Sequence, residues 1–241
     1  MWRSTSREGF ARTTPGSFVA AMIALTDEGR SRLQRHGLLV LCTSGATALL
    51  VLLPLSHRDL RERVSTATAY VALALLVVTL SFGPLNVLRG RPNPVSFNRR
   101  RDFGIWAAIA GLVHTAIGLT VHFRGRMHLY FFPEPGHPRI AGLRTDLFGA
   151  ANDTGLVAAV LLLLLALISN DVALRGLGVA RWRTVQRSAY VVLGLTVAHA
   201  ALYQVIGSQR FLLVLVLVVA TVVVLTLQAL GARRHRRESP G

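Results

Sequence analysis

The stretch "RRRDFGIWAAIAGLVHTAIGLTVHF", residues 99–123, opens on three arginines, turns apolar, and then sets His114 in the middle of the apolar run. About 20 apolar residues in a helix cross the hydrocarbon core of a bilayer, so a run of this length reads as a membrane span. A histidine at that depth is costly, because its ring nitrogens need partners that lipid chains do not supply. The stretch therefore points to a helical membrane fold and asks what His114 holds.

Working outward, six apolar runs appear, at roughly 37–55, 67–88, 103–123, 148–169, 188–207 and 211–230. Five have no charged residue in the interior, and the fourth carries only Asp153 near its start. Pro54 ends the first run early. A chain of 241 residues that is 52% hydrophobic has this many such runs only as a polytopic membrane protein. The expected fold class is all-α, a six-helix transmembrane bundle. It divides into an N-terminal cytoplasmic segment (1–36), a membrane domain (37–230) and a basic cytoplasmic tail (231–241).

The net charge of +16 comes from 27 basic residues, all of them arginine. Nineteen precede the first span, fill the second and fourth loops or follow the sixth span, and eight lie in the other loops. That bias predicts a multi-pass protein with both termini in the cytoplasm. Anionic lipid accounts for the arginines better than nucleic acid does, since neither aromatic interleaving nor a helix-turn-helix pattern accompanies them. Cys42 is the sole cysteine and lies in the first span, so it forms no intrachain disulfide. The apolar run 16–25 leads into "TDEGRSR" without a small-residue cleavage site, which favours an interfacial helix over a signal peptide.

No segment reads as a soluble catalytic domain, and no nucleotide fingerprint is present, so a reducing cofactor such as NADPH would be handled by another protein. The long third loop, "RGRMHLYFFPEPGHPRIAGLRTD" (124–146), has interfacial aromatics, and Pro133, Pro135 and Pro138 forbid a regular helix through its middle.

Two ionisable side chains fall deep in the spans, His114 in the third and His199 in the fifth. His114 follows Arg101 by 13 residues and His199 follows Arg187 by 12, which places them about 20 and about 18 Å from the arginine-rich boundary at 1.5 Å per residue. Both spans run the same way, so the imidazoles are expected level with each other. Two level histidines on separate helices suit bis-imidazole ligation of a haem iron. Gly104, Gly111, Gly118 and Gly125 recur every seven residues, and Gly111 and Gly118 share the face of His114, leaving room for a flat macrocycle. Glycines at this spacing also let helices pack closely, and a buried histidine also bonds across a bundle. The two readings stand together at this point. A zinc site lacks a third ligand at that level.

The stretch 100–114, with Arg100, Arg101, Gly104, Trp106 and His114, resembles the third-helix signature of the ferric reductase-like transmembrane family. Its closest likeness is to the haem-binding membrane subunits that serve the bacterial periplasmic methionine sulfoxide reductase. "LGVARWRTVQRSAYVVLGLTVAH" (177–199) carries the second part, through Trp182, Tyr190 and His199, and "VTLSFGPLNVLRG" (78–90) resembles the end of that family's second helix. The resemblance covers roughly residues 65–205. It implies a b-type haem held by His114 and His199, and electron transfer to an acceptor at the outer face, either ferric iron or a periplasmic reductase. Such a chain is an oxidoreductase component with a separate electron donor.

One departure concerns an inner histidine of the family, whose place is taken by Gln186, with Arg101 at the matching level of the third span. One haem is therefore expected; a quinone or flavin at the inner face is an open substitute. Arg124 is a candidate for pairing with haem propionates, alongside Arg126. His122, His128 and His137 are expected at the interface or in the loop, mainly exposed, and Asp153 as a helix-terminal residue on the aqueous side. The alternative function is a haem-free scaffold or transporter with structural histidines, although the spans lack the paired carboxylates and broken helices of a transporter.

Overall fold

The computed structural model describes residues 15–53, 59–91, 98–121, 126, 128–131, 139–140, 143–206 and 211–238. The helices are α1 (Pro15–Leu52), α2 (Leu60–Leu88), α3 (Asn98–Val121), α4 (His128–Phe131), α5 (Leu147–Leu167), α6 (Asp171–Gln186), α7 (Ala189–Ile206) and α8 (Phe211–Glu238). Between α4 and α5, β1 (Arg139–Ile140) pairs antiparallel with β2 (Leu143–Arg144), Arg139 opposite Arg144. Six helical stretches among the described residues are long and apolar enough to cross a membrane, the fifth being the α6–α7 stretch. The chain is a predominantly helical, multi-pass membrane protein, as its apolar runs require.

Residues 1–38 and 39–241 form two compact units. In the first, the apolar run 16–25 is helical within α1, and Arg35 donates from Nη1 to Ser31 Oγ at 2.9 Å. The second holds the bundle. Its central helix is α2, whose apolar window is 44% buried against 22% or less for every other span. The core joins Val71, Leu76 and Leu80 of α2 to Ala107 and Ala110 of α3, Leu165 of α5, Val192 of α7, and Leu217 and Val224 of α8. In lipid, such helices associate through close packing and hydrogen bonds rather than by escape from water.

α8 shows the second kind of bond. Pro84 lies inside α2 and has no N–H, so the Leu80 carbonyl loses its partner four residues on. Gln228 of α8 donates from Nε2 to that carbonyl at 3.1 Å. Gly231 stands opposite the proline ring, where a Cβ would come within 3.0 Å of Pro84 Cβ. Arg234 Nη1 donates to Leu88 O at 2.5 Å near the end of α2, and Tyr70 OH donates to Leu213 O at 3.1 Å near the start of α8. These bonds satisfy backbone groups that hydrocarbon would leave costly.

The connection expected as the fourth loop is helical. Asn170 caps α6 by accepting from Ala173 N at 2.8 Å, and Gly178, at φ 72°, bends it. None of its residues is buried, so arginines 175, 181 and 183 face outward from a helix rather than from an irregular loop. α5 begins at Asp146, whose side chain accepts from Gly149 N at 2.7 Å. Arg144 binds the same carboxylate, with Nε 3.2 Å from Oδ1, and this bond raises the guanidinium pKa. Asp153 lies inside α5, half-buried, and not at its end. Its Oδ1 accepts from the Tyr130 hydroxyl. The Asp153 expectation is thus corrected: Asp146 supplies the cap, leaving Asp153 to face a tyrosine.

Candidate functional site

α3 carries His114 and α7 carries His199, and the two rings meet edge-on, centroids 6.1 Å apart and planes at 76°. His114 reaches α2: its Nδ1 lies 2.8 Å from Ser65 O and 3.2 Å from Ser65 Oγ. His199 reaches α5: its Nδ1 lies 2.6 Å from Ala151 O. A carbonyl only accepts, so each Nδ1 carries the proton and donates, and Nε2 is the lone-pair nitrogen of each ring. Both imidazoles are thus fixed in one tautomer, at matched positions near the starts of α2 and α5.

The seat of His199 depends on a residue that the motif reading passed over. Gly155 lies one turn beyond Ala151 on α5, and a Cβ there would overlap His199 Nδ1 and stand 2.6 Å from Cε1. Glycine lets α5 approach until Ala151 O meets the ring. The only sequence signal is the small-residue pair Ala151 and Gly155, four apart on one helix face. On the other side, the Tyr203 ring packs edge-on at 5.0 Å from His199, and its hydroxyl donates to Asn152 Oδ1 at 3.0 Å.

Both histidines line a cavity of about 520 Å³, within the usual range for small-molecule sites of about 300–1,000 Å³. Gly111 and Gly118 line it too. They also serve packing: a Cβ at Gly111 would come within 3.0 Å of Leu162 Cδ1, and one at Gly118 within 3.6 Å of Ser65 Oγ. Room beside the histidine and close helix contact are both present at these positions. Apart from Glu62, no acidic or basic residue other than the histidines lies among the described residues lining the cavity.

The donor set fits a metal held between two imidazoles. No group of three or more histidine, cysteine, aspartate or glutamate side chains is gathered among the described residues, so a self-contained protein metal cage is not the arrangement found there.

Nearer the arginine-rich end the helices are tied to one another. Arg101 pairs with Asp171 at 2.7 Å, Gln186 Nε2 donates to Ser169 Oγ at 3.1 Å, and Trp182 Nε1 donates to Ile168 O at 3.0 Å. Neither Arg101 nor Gln186 lines the cavity. Trp106 packs against the core. Arg124, His122 and His137 lie outside the described residues; His128 begins α4, and Arg126 is exposed.

Residues 68–197, more than half of the chain, match the family model described as ferric reductase like transmembrane component. His114 falls within the match and His199 two residues past its end. The chain belongs to the ferric reductase-like transmembrane family, and membrane electron transfer is the role that membership indicates.

Proposed function

We propose that this chain is a b-type haem protein that carries electrons within the membrane to an acceptor at the outer face. The observation carrying the reading is the pair of imidazoles, ring centres 6.1 Å apart, each held through Nδ1 so that the lone pair stands on Nε2. When bound, the iron would supply the one-electron chemistry. His114 and His199 would hold the group, and Gly111 and Gly118 would give it room. Ser65 O and Ala151 O orient the ligands and raise their basicity. The cavity wall is mostly apolar, and Arg124 is the proposed partner of a propionate. The arginine distribution supports cytoplasmic termini, and so a cavity in the outer half of the bilayer, which in this reading is a bacterial inner membrane. In this reading the donor and the acceptor, ferric iron or a periplasmic reductase, are separate from the chain.

A second reading has one specific support. Both histidines bond to a carbonyl of a neighbouring helix, as structural histidines in a haem-free scaffold would. Detergent-purified protein from haem-supplied cells separates the two. The haem reading expects a Soret band that shifts on dithionite reduction; a colourless preparation supports the scaffold.

A further inference from the structure

The carbonyl that holds each histidine has another donor, and it is the same donor in both seats. Ser65 O, which accepts from His114 Nδ1 at 2.8 Å, also accepts from Thr68 Oγ1 at 2.9 Å. Ala151 O, which accepts from His199 Nδ1 at 2.6 Å, also accepts from Thr154 Oγ1 at 3.0 Å. In each case the threonine stands three residues after the carbonyl. Its hydroxyl is shared with the carbonyl one residue earlier, Val64 O or Ala150 O, both at 2.8 Å.

Threonine back-bonding within a helix is ordinary. Thr79, Thr115 and Thr221 bond to the carbonyl four residues earlier, and Thr43 bridges Leu39 O and Val40 O. What sets Thr68 and Thr154 apart is that the second acceptor is the one a histidine uses. Thr68 is buried and Thr154 half-buried. The coincidence occurs on two unrelated helices.

We propose that Thr68 and Thr154 are positioning residues that tune the two histidine ligands through a shared carbonyl. The inference rests on the haem reading. Two side-chain donors, added to the helical N–H, compete for the electron density of one oxygen, so the threonine weakens the bond that the carbonyl makes to Nδ1–H. A weaker bond leaves the imidazole less anionic and a poorer donor to iron, which favours the reduced state. The threonines therefore raise the potential above what the carbonyls alone would set.

The test uses Thr68→Val, Thr154→Val and the double variant, which keep the β-branch and lose the hydroxyl. Thr→Ser at each position is the rescue. Purified holoprotein is titrated potentiometrically and followed in the visible spectrum. Each valine variant should show a several-fold higher ferric-to-ferrous ratio at a fixed ambient potential, the double variant should multiply the two effects, and the serines should return to wild type. A normal haem band with unchanged or reversed ratios would overturn the tuning while leaving the haem reading intact. Absence of the band in wild type would instead sink the reading beneath it. A second readout needs no haem: in the apoprotein, the imidazole Nδ1–H proton resonance should move downfield in each valine variant. A resonance that stays in place would overturn the competition itself. Because the seats are independent, failure of one variant to fold leaves the other as the test.

Discussion

Two levels of the same bundle are built in opposite ways. At the level of His114 and His199, small residues open a space: Gly111, Gly118 and Gly155 withdraw side chains, and the rings are held from behind by Ser65 and Ala151. At the level of Arg101 and Gln186, side chains close the gaps, through Arg101–Asp171, Gln186–Ser169 and Trp182–Ile168. One level has the donors and the volume for a cofactor. The other has Arg101 of α3 tied to Asp171 of α6, and Gln186 and Trp182 of α6 tied back to the turn that follows α5. The difference teaches that the two levels are of unlike construction, one lined by small residues and two histidines, the other crossed by polar side-chain bonds.

The largest effects should come from the ligands themselves. His114→Ala and His199→Ala are each expected to abolish the haem absorbance of purified protein, while His122→Ala keeps most of it. Equal loss from all three would break the contrast, because it would assign no special place to the pair. Next comes Gly155→Ala, which puts a methyl group where the His199 ring lies. Haem affinity should fall about 10- to 100-fold, as for loss of a group that orients a metal ligand. Gly104→Ala, whose Cβ would meet Thr79 Cγ2 at 3.5 Å, should leave it unchanged by comparison. Titration of haem into apoprotein measures both.

Away from the cavity the expected losses concern stability. Gln228→Leu leaves the Leu80 carbonyl beside Pro84 without its α8 donor, a cost of about 1–3 kcal/mol. Unfolding in detergent should begin at lower denaturant, with haem content per folded chain unchanged. A matching loss of haem would mean that α8 supports the site and not merely α2. The smallest effect belongs to Tyr130, near the start of α5. Burial first, and then its bond to Asp153, raises the phenol above its ordinary value. The neutral phenol is the favoured form, so its stabilisation is whole below about pH 10 and fades as pH rises above that. Tyr130→Phe should be slightly less stable at neutral pH, and the gap to wild type should narrow in alkali.

The helical membrane fold and the level of the two histidines were legible because they follow from run lengths and residue counting. Rise per residue is constant along a helix, so 13 and 12 residues from two arginines translate directly into height. Which face each ring presents, and what stands behind it, depend on helix rotation and packing that no single run encodes. Ser65, Ala151 and Gly155 were therefore invisible: two act through backbone carbonyls that every residue has, and the third acts by lacking a side chain. α6 was missed for a related reason. Its arginines suggested a loop, yet Asn170 caps a helix that lies outside the core. Asp153 was misplaced because Asp146, seven residues earlier, is the cap.

Haem counting on the purified wild-type chain tests the contrast between the two levels most directly. The pyridine haemochrome assay should return about one haem per polypeptide, one bis-histidine site being the whole complement. A value near two would mean that the tied level also opens to take a macrocycle, and a value near zero would mean that the two rings bond to carbonyls of α2 and α5 and hold no iron.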